Sequence, residues 1–200
     1  MWPMARRFKQ QGFQTHIFQN RYLLQTPEQN AQRLLTHLQA LPADTVHLLG
    51  HSLGGIVIMH ILRLNREQPT GERFTNGKIV LIASPVKGSH VARLLYANRL
   101  GRKLMGRCVV GGVLTGMPEE LDGREVGVIS GSSRAGLTAM IYRSEHSNDG
   151  MINEYETQLE GAQDTVSVPQ SHASMLFSRR CSELAMRFLQ HGRFVENSSE

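Results

Sequence analysis

Two hundred residues make one domain's worth of chain, enough to bury roughly 70% of the unfolded surface without disulfides or metals. With 40% hydrophobic and 20% charged residues, the composition excludes collagen-like, disordered and coiled-coil chains. The net charge of +5 is spread over pairs such as Arg6-Arg7, Arg102-Lys103 and Arg179-Arg180, with no run of five and no interleaved aromatics, so nucleic acid is not the expected partner.

In chain order, Pro3 to Gln11 reads as a helix with Pro at its start and Gly12 at its end, followed by a short strand over Phe13 to Phe18. Thr26-Pro27 opens a second helix, in which Ala31, Leu34, Leu35, Leu38 and Leu41 recur at three and four until Pro42 ends it. Thr45 to Leu49 is a short apolar strand, and the helix after it, Ser52 to Arg66, turns Ile56, Val57, Met59, His60 and Leu64 toward a sheet. Gly77 to Ala83 is nearly continuous in branched apolar residues, as suits a parallel strand covered on both faces. Glu125 to Ser130 and Asp164 to Val168 are the last two strands, and Ala173 to Gln190 closes the chain as an amphipathic helix. The alternation predicts a single α/β domain over residues 1–200, built on a mostly parallel sheet flanked by helices. The stretch from Pro85 to Gly123, about forty residues, is too long for an ordinary connection, and an insertion is expected within it over about 89–123.

Several further classes drop out. The longest apolar stretch, Ile56 to Leu62, is interrupted by His60 and falls short of the roughly 20 residues a membrane-spanning helix needs. Arg6, Arg7 and Lys9 are followed by no apolar stretch, so no secretory signal is expected and the cytoplasm is the expected location. Cys108 and Cys181 match neither a zinc spacing nor a redox pair and read as reduced core thiols.

One motif carries chemistry. The strand residues Val46 to Leu49 run into Gly50-His51-Ser52-Leu53-Gly54, followed by Gly55, and a helical pattern then starts: G-x-S-x-G between strand and helix. A turn this sharp strains the Ser backbone, and side chains two positions to either side are expected to collide with the neighbouring strand and helix. Ser52 is thereby presented at the carboxyl end of the sheet, and the backbone N–H of Leu53, at a helix N-terminus, is placed to stabilise an oxyanion. The near-repeat Gly131-Ser132-Ser133-Arg134-Ala135 lacks a following helix and reads as a loop.

A serine nucleophile needs a histidine to take its proton and an acid to orient that histidine, in the chain order Ser, acid, His on this kind of fold. Of nine histidines, His16, His37 and His47 precede the serine, His51 lies in the turn itself, and His60 is inside a helix. His172, in a loop after the last strand, is the leading candidate, with His146 next and His90 and His191 behind. Asp149, among turn residues after the strand ending at Ser130, is the leading acid, and Asp164, Glu160 and Asp122 compete with it.

These residues bring a family into view. GHSLGG at 50–55, ASPVKGSHVARLL at 83–95, NDGMI at 148–152 and SHASML at 171–176 resemble, in that order, landmarks of the α/β-hydrolase fold, in the bacterial lipase and esterase group related to triacylglycerol lipases and to glycosylphosphatidylinositol-anchor deacylases. The resemblance implies a serine hydrolase of carboxylic esters, lipid esters among them, with Ser52, Asp149 and His172 as its triad, Leu53 in the oxyanion hole, and neither cofactor nor metal. The insertion would then be a small cap whose Leu94, Leu95, Leu100, Leu104, Met105, Val109, Val110 and Val113 either line an acyl pocket or simply cover the sheet. In the group a strand ending in His-Gly precedes the first helix and supplies the second oxyanion N–H. MWPMARRFKQQGF resembles that first helix itself, so the strand is expected to be missing. Two other functions stay open: an acyltransferase using the same serine with a non-water acceptor, and a catalytically impaired homologue that binds lipid or a partner protein.

Overall fold

The computed structural model describes residues 1–43, 45–68, 77–135 and 144–195. Among these residues four strands form one sheet in the order of the chain: β1 (Leu48–His51), β2 (Ile79–Ile82), β3 (Val126–Gly131) and β4 (Asp164–Val168). All three pairings are parallel, with Leu49 opposite Val80, Val80 opposite Gly127, and Gly127 opposite Asp164. Because the strands are parallel, all four carboxyl ends share one edge of the sheet, and loops that follow them meet there.

The helices divide between the two faces. On one lie α2 (Pro27–Gln39) and α3 (Leu53–Arg66), whose Ala31, Leu35, Ile56 and Met59 pack with Ile79, Leu81, Val126 and Val128 of the sheet. On the other lie α1 (Trp2–Gln10) and α7 (Arg179–His191), whose Met4, Phe8, Leu184 and Phe188 pack with Val80, Ile82 and Ile129. The strict alternation of Ile79 and Leu81 against Val80 and Ile82 is the two-residue period of a strand buried on both sides, and every residue of β2 is buried. Among the described residues three shorter helices follow: α4 (His90–Tyr96), α5 (Arg99–Met105) and the four-residue α6 (Glu154–Thr157). Cys108 and Cys181 are buried free thiols.

Local chemistry explains where elements begin and where two expectations fail. Thr26 and Gln29 form a reciprocal capping box that starts α2, with Pro27 in the first turn. The expected helix over 173–190 is instead a 3-10 turn at Ser174–Leu176 followed by α7. Ser178 makes the break: it is extended at φ −66°, ψ 126°, and its hydroxyl accepts the Cys181 N–H, starting a new helix. The expected strand over 13–18 joins no ladder among the described residues. A strand needs a backbone partner, and this segment is held by side chains: Phe13 packs on Phe8 and His47, His16 on His37, and Arg33 lies over the Phe18 ring. No described helix is long and apolar enough to cross a membrane.

Candidate active site

The nucleophile turn follows from its backbone. Ser52 sits between β1 and α3 at φ 53°, ψ −121°, in a region L-residues rarely occupy, at a cost of order 1–3 kcal/mol. Its N–H donates to the Ile82 carbonyl at 2.8 Å, which extends the β1–β2 ladder up to the strained residue and holds it. Gly50 is required sterically, since a Cβ there would lie 2.6 Å from the Gly55 nitrogen and 2.7 Å from the Gly54 carbonyl carbon. Gly54 departs from expectation: a Cβ on it would meet nothing within 4 Å. The glycine that packs closely on this side is Gly55, against the Ser84 side chain. The first turn of α3 leaves Gly54 half-buried while Gly55 is buried facing the sheet, so the crowding falls one position later.

The acid and histidine loops meet over the same edge. His172 Nδ1–H donates to Asp149 Oδ2 at 2.7 Å, and the His172 backbone N–H donates to the Asp149 carbonyl at 2.9 Å. Asp149 is only 1% exposed in its side chain, so this pair is held away from bulk water. The other carboxylate oxygen accepts the backbone N–H groups of Met151 and Ile152, at 2.9 and 2.7 Å. With Nδ1 committed as a donor, His172 Nε2 carries the free lone pair of the neutral ring, the arrangement a general base requires. A Cβ on Gly131 would reach Asp149 Cβ at 2.8 Å, which places the acid directly above the carboxyl end of β3.

The competitors lie elsewhere. Asp164 opens β4 at the opposite edge of the sheet and accepts the N–H groups of Thr165 and Phe194. Asp122 accepts from the Asn65 side chain before β3 begins, and Glu160 is exposed. The His146 ring packs on Tyr155, the backbone N–H of His90 is bound by Glu156 at the start of α4, and His191 ends α7. Ser132 and Ser133 hydrogen-bond to the backbone of Val168 and Gln170, within a loop as expected.

His51 is the residue that sequence reasoning missed. Its Nε2–H donates to the His172 carbonyl at 2.9 Å, and the two rings lie 4.7 Å apart, so the residue before Ser52 is tied to the histidine loop. Burial, reinforced by positive charge at His172, lowers its pKa to about 4, against the opposing effects of the hydrogen bond and the Asp149 charge. It is therefore neutral at neutral pH, with Nε2–H as its donor and Nδ1 left unprotonated. The signal in the sequence was its place beside the serine, but a neighbour's backbone was the partner, and backbone partners leave no trace in residue type. Leu53, half-buried, is the first residue of α3, and its N–H has no partner within the helix.

Comparison with solved structures places this fold. The mature form of a Bacillus licheniformis lipase matches at a TM-score of 0.60 and 17% identity, over 74% of this chain and 68% of its own. A metagenomic carboxyl esterase matches at 0.59 and 14%, over 80% of this chain and 55% of its own. A Legionella pneumophila phospholipase matches at 0.53 and 16%, over 78% and 41%. The chain thus spans from about two thirds to less than half of the length of these neighbours. No protein-family model and no curated protein matches the sequence. Four parallel strands flanked by helices, with lipases and esterases as structural neighbours, make this an α/β fold of the α/β-hydrolase type.

Proposed function

We propose that the chain is a serine hydrolase of carboxylic esters. The observation that carries the reading is the buried Asp149–His172 contact of 2.7 Å, tied through His51 to a serine in a strained strand-to-helix turn. Ser52 Oγ attacks the acyl carbon while His172 Nε2 takes its proton, and Asp149 holds the imidazole in the required tautomer and balances its charge. The tetrahedral oxyanion forms against the Leu53 N–H at the positive end of α3. Collapse breaks the ester bond, and His172 returns the proton to the departing alcohol. Water then attacks the acyl-enzyme, giving its proton to His172, which passes it to Ser52 Oγ as the tetrahedral intermediate collapses to the free acid. Each step is proton transfer or acyl transfer, so the cycle needs no metal or organic cofactor. Lipases, an esterase and a phospholipase among the structural neighbours support an ester substrate.

Turnover of a p-nitrophenyl ester series tests the reading beside labelling by an active-site-directed phosphonate. Ser52→Ala should abolish both, and Asp149→Asn should lower kcat roughly 10⁴-fold by favouring the wrong imidazole tautomer. Product analysis with an added alcohol separates hydrolysis from acyl transfer. A folded chain showing neither Ser52-dependent turnover nor labelling would overturn the proposal and leave a binding protein on this fold.

A further inference from the structure

Four leucines of the segment between β2 and β3 stand on the surface. Leu94 and Leu95 on α4 are 53% and 42% exposed, and Leu100 and Leu104 on α5 are 68% and 69% exposed, while Val109 and Val113 are in the core. Beside them stands a second exposed apolar group, Tyr22, Leu23 and Leu24. The two groups adjoin: the Cys108 N–H donates to the Tyr22 carbonyl at 3.1 Å, and a Cβ on Gly106, just past α5, would lie 2.7 Å from Leu23 Cα. Exposed apolar residues gathered in this way mark a surface that is covered in use.

The charge identifies the cover. Residues 90–110 hold Arg93, Arg99, Arg102, Lys103 and Arg107 and no Asp or Glu, and every one of these cations is exposed. With 22 basic residues in the chain and 5 of them here, the remainder balances at 17 basic against 17 acidic, so the whole net charge of +5 resides in this stretch. Arg21, beside Tyr22, is exposed too, and no acidic residue precedes Glu28. On α5, Arg99 and Lys103 stand one turn apart and so do Leu100 and Leu104, so a cationic row and a leucine row run side by side. Among the described residues no carboxylate pairs with these cations; Arg93 and Arg102 donate to the backbone carbonyls of Leu114, Tyr96 and Ala97.

We propose that this face docks on the surface of an anionic lipid bilayer. The leucines enter the headgroup boundary and the Arg and Lys side chains reach lipid phosphates, their stems lying along the apolar layer. A polyanion such as nucleic acid would leave the leucines in water. A second copy seated on the same face would set five cations against five. The proposal does not depend on Ser52 chemistry, and its test reads binding alone.

Cosedimentation with phosphatidylcholine vesicles, with and without phosphatidylglycerol, measures the docking directly. Binding should require phosphatidylglycerol and weaken about fivefold for each cation removed. Arg99→Glu with Lys103→Glu should therefore reduce it by about 25-fold or more, and Leu100→Ser with Leu104→Ser by about tenfold or more. All four side chains are exposed, so both double variants should keep the urea midpoint of the parent. Failure to bind, equal binding to both vesicle types, or insensitivity to the leucine pair would overturn the proposal. Binding to duplex RNA that survives the leucine substitutions would replace it with a polyanion surface. A dimer in light scattering that the leucine substitutions dissociate would replace it with self-association.

Discussion

His51 makes stability depend on pH in a way that can be isolated. In the folded chain its pKa is about 4, against the ordinary 6.5 that it regains on unfolding. Between these values the unfolded chain binds a proton that the folded chain refuses, so stability is complete above pH 6.5 and falls as the pH drops toward 4. The full effect, about two and a half pH units at 1.36 kcal/mol each, is about 3 kcal/mol, and about 2 kcal/mol of it is lost by pH 5. The groups facing the ring are His172, Asp149 and, more weakly, the N-terminal amine. His47 and His60, also lowered by burial, add loss of the same sign, so the contribution of His51 is read as a difference. Urea unfolding of the parent and of His51→Gln at pH 8 and pH 5 gives it, since Gln keeps an N–H donor and does not titrate. The parent should lose about 2 kcal/mol more than the variant over this interval. Equal losses would refute the claim that the fold holds His51 neutral.

Three substitutions test packing. Gly54→Ala should stabilise the chain by roughly 0.5–1 kcal/mol, because the site is helical and open, whereas Gly50→Ala should destabilise it by about 1–3 kcal/mol through backbone overlap. Urea midpoints moving in the same direction would contradict the steric reading of the turn. Phe188, fully buried with its ring centroid 4.9 Å from that of Phe194 at a 32° tilt, leaves a cavity when truncated, so Phe188→Ala should cost about 3–5 kcal/mol by thermal or urea unfolding. A cost below about 1 kcal/mol would mean that the site collapses around the gap.

Most of the fold was legible because burial writes itself into spacing. Helices α2 and α3 and the strand Ile79–Ile82 carry apolar periods that only one geometry satisfies, and Asp164–Val168 agrees residue for residue with expectation. The strand expected at Thr45 to Leu49 forms at Leu48–His51, because strand limits follow from the partner, here Ile79–Ile82, and not from local composition. Phe13 to Phe18 fails for the same reason: its residues favour an extended backbone, but pairing is decided by what lies alongside. The break at Ser178 turned on one hydroxyl reaching one N–H, a detail that the periodicity of Met175, Leu184 and Phe188 passes over.

The site and the charged face show the same divide from opposite sides. Ser52, Asp149 and His172 could be singled out because each sits after a strand, and parallel strands deliver their carboxyl ends to one edge whatever the intervening chain does. Counting along the chain reaches such candidates because topology, not spacing, sends the loops to that edge. The cations of 90–110 look scattered by the same counting, since runs and pairs are one-dimensional measures. A helix brings residues four apart together, so Arg99 with Lys103 and Leu100 with Leu104 become adjacent rows only once α5 is known to be a helix with its buried side at Gly101. The scatter that argued against nucleic acid along the chain still leaves five exposed cations within residues 90–110, interspersed with exposed leucines. It is that mixture, more than the charge, that favours lipid.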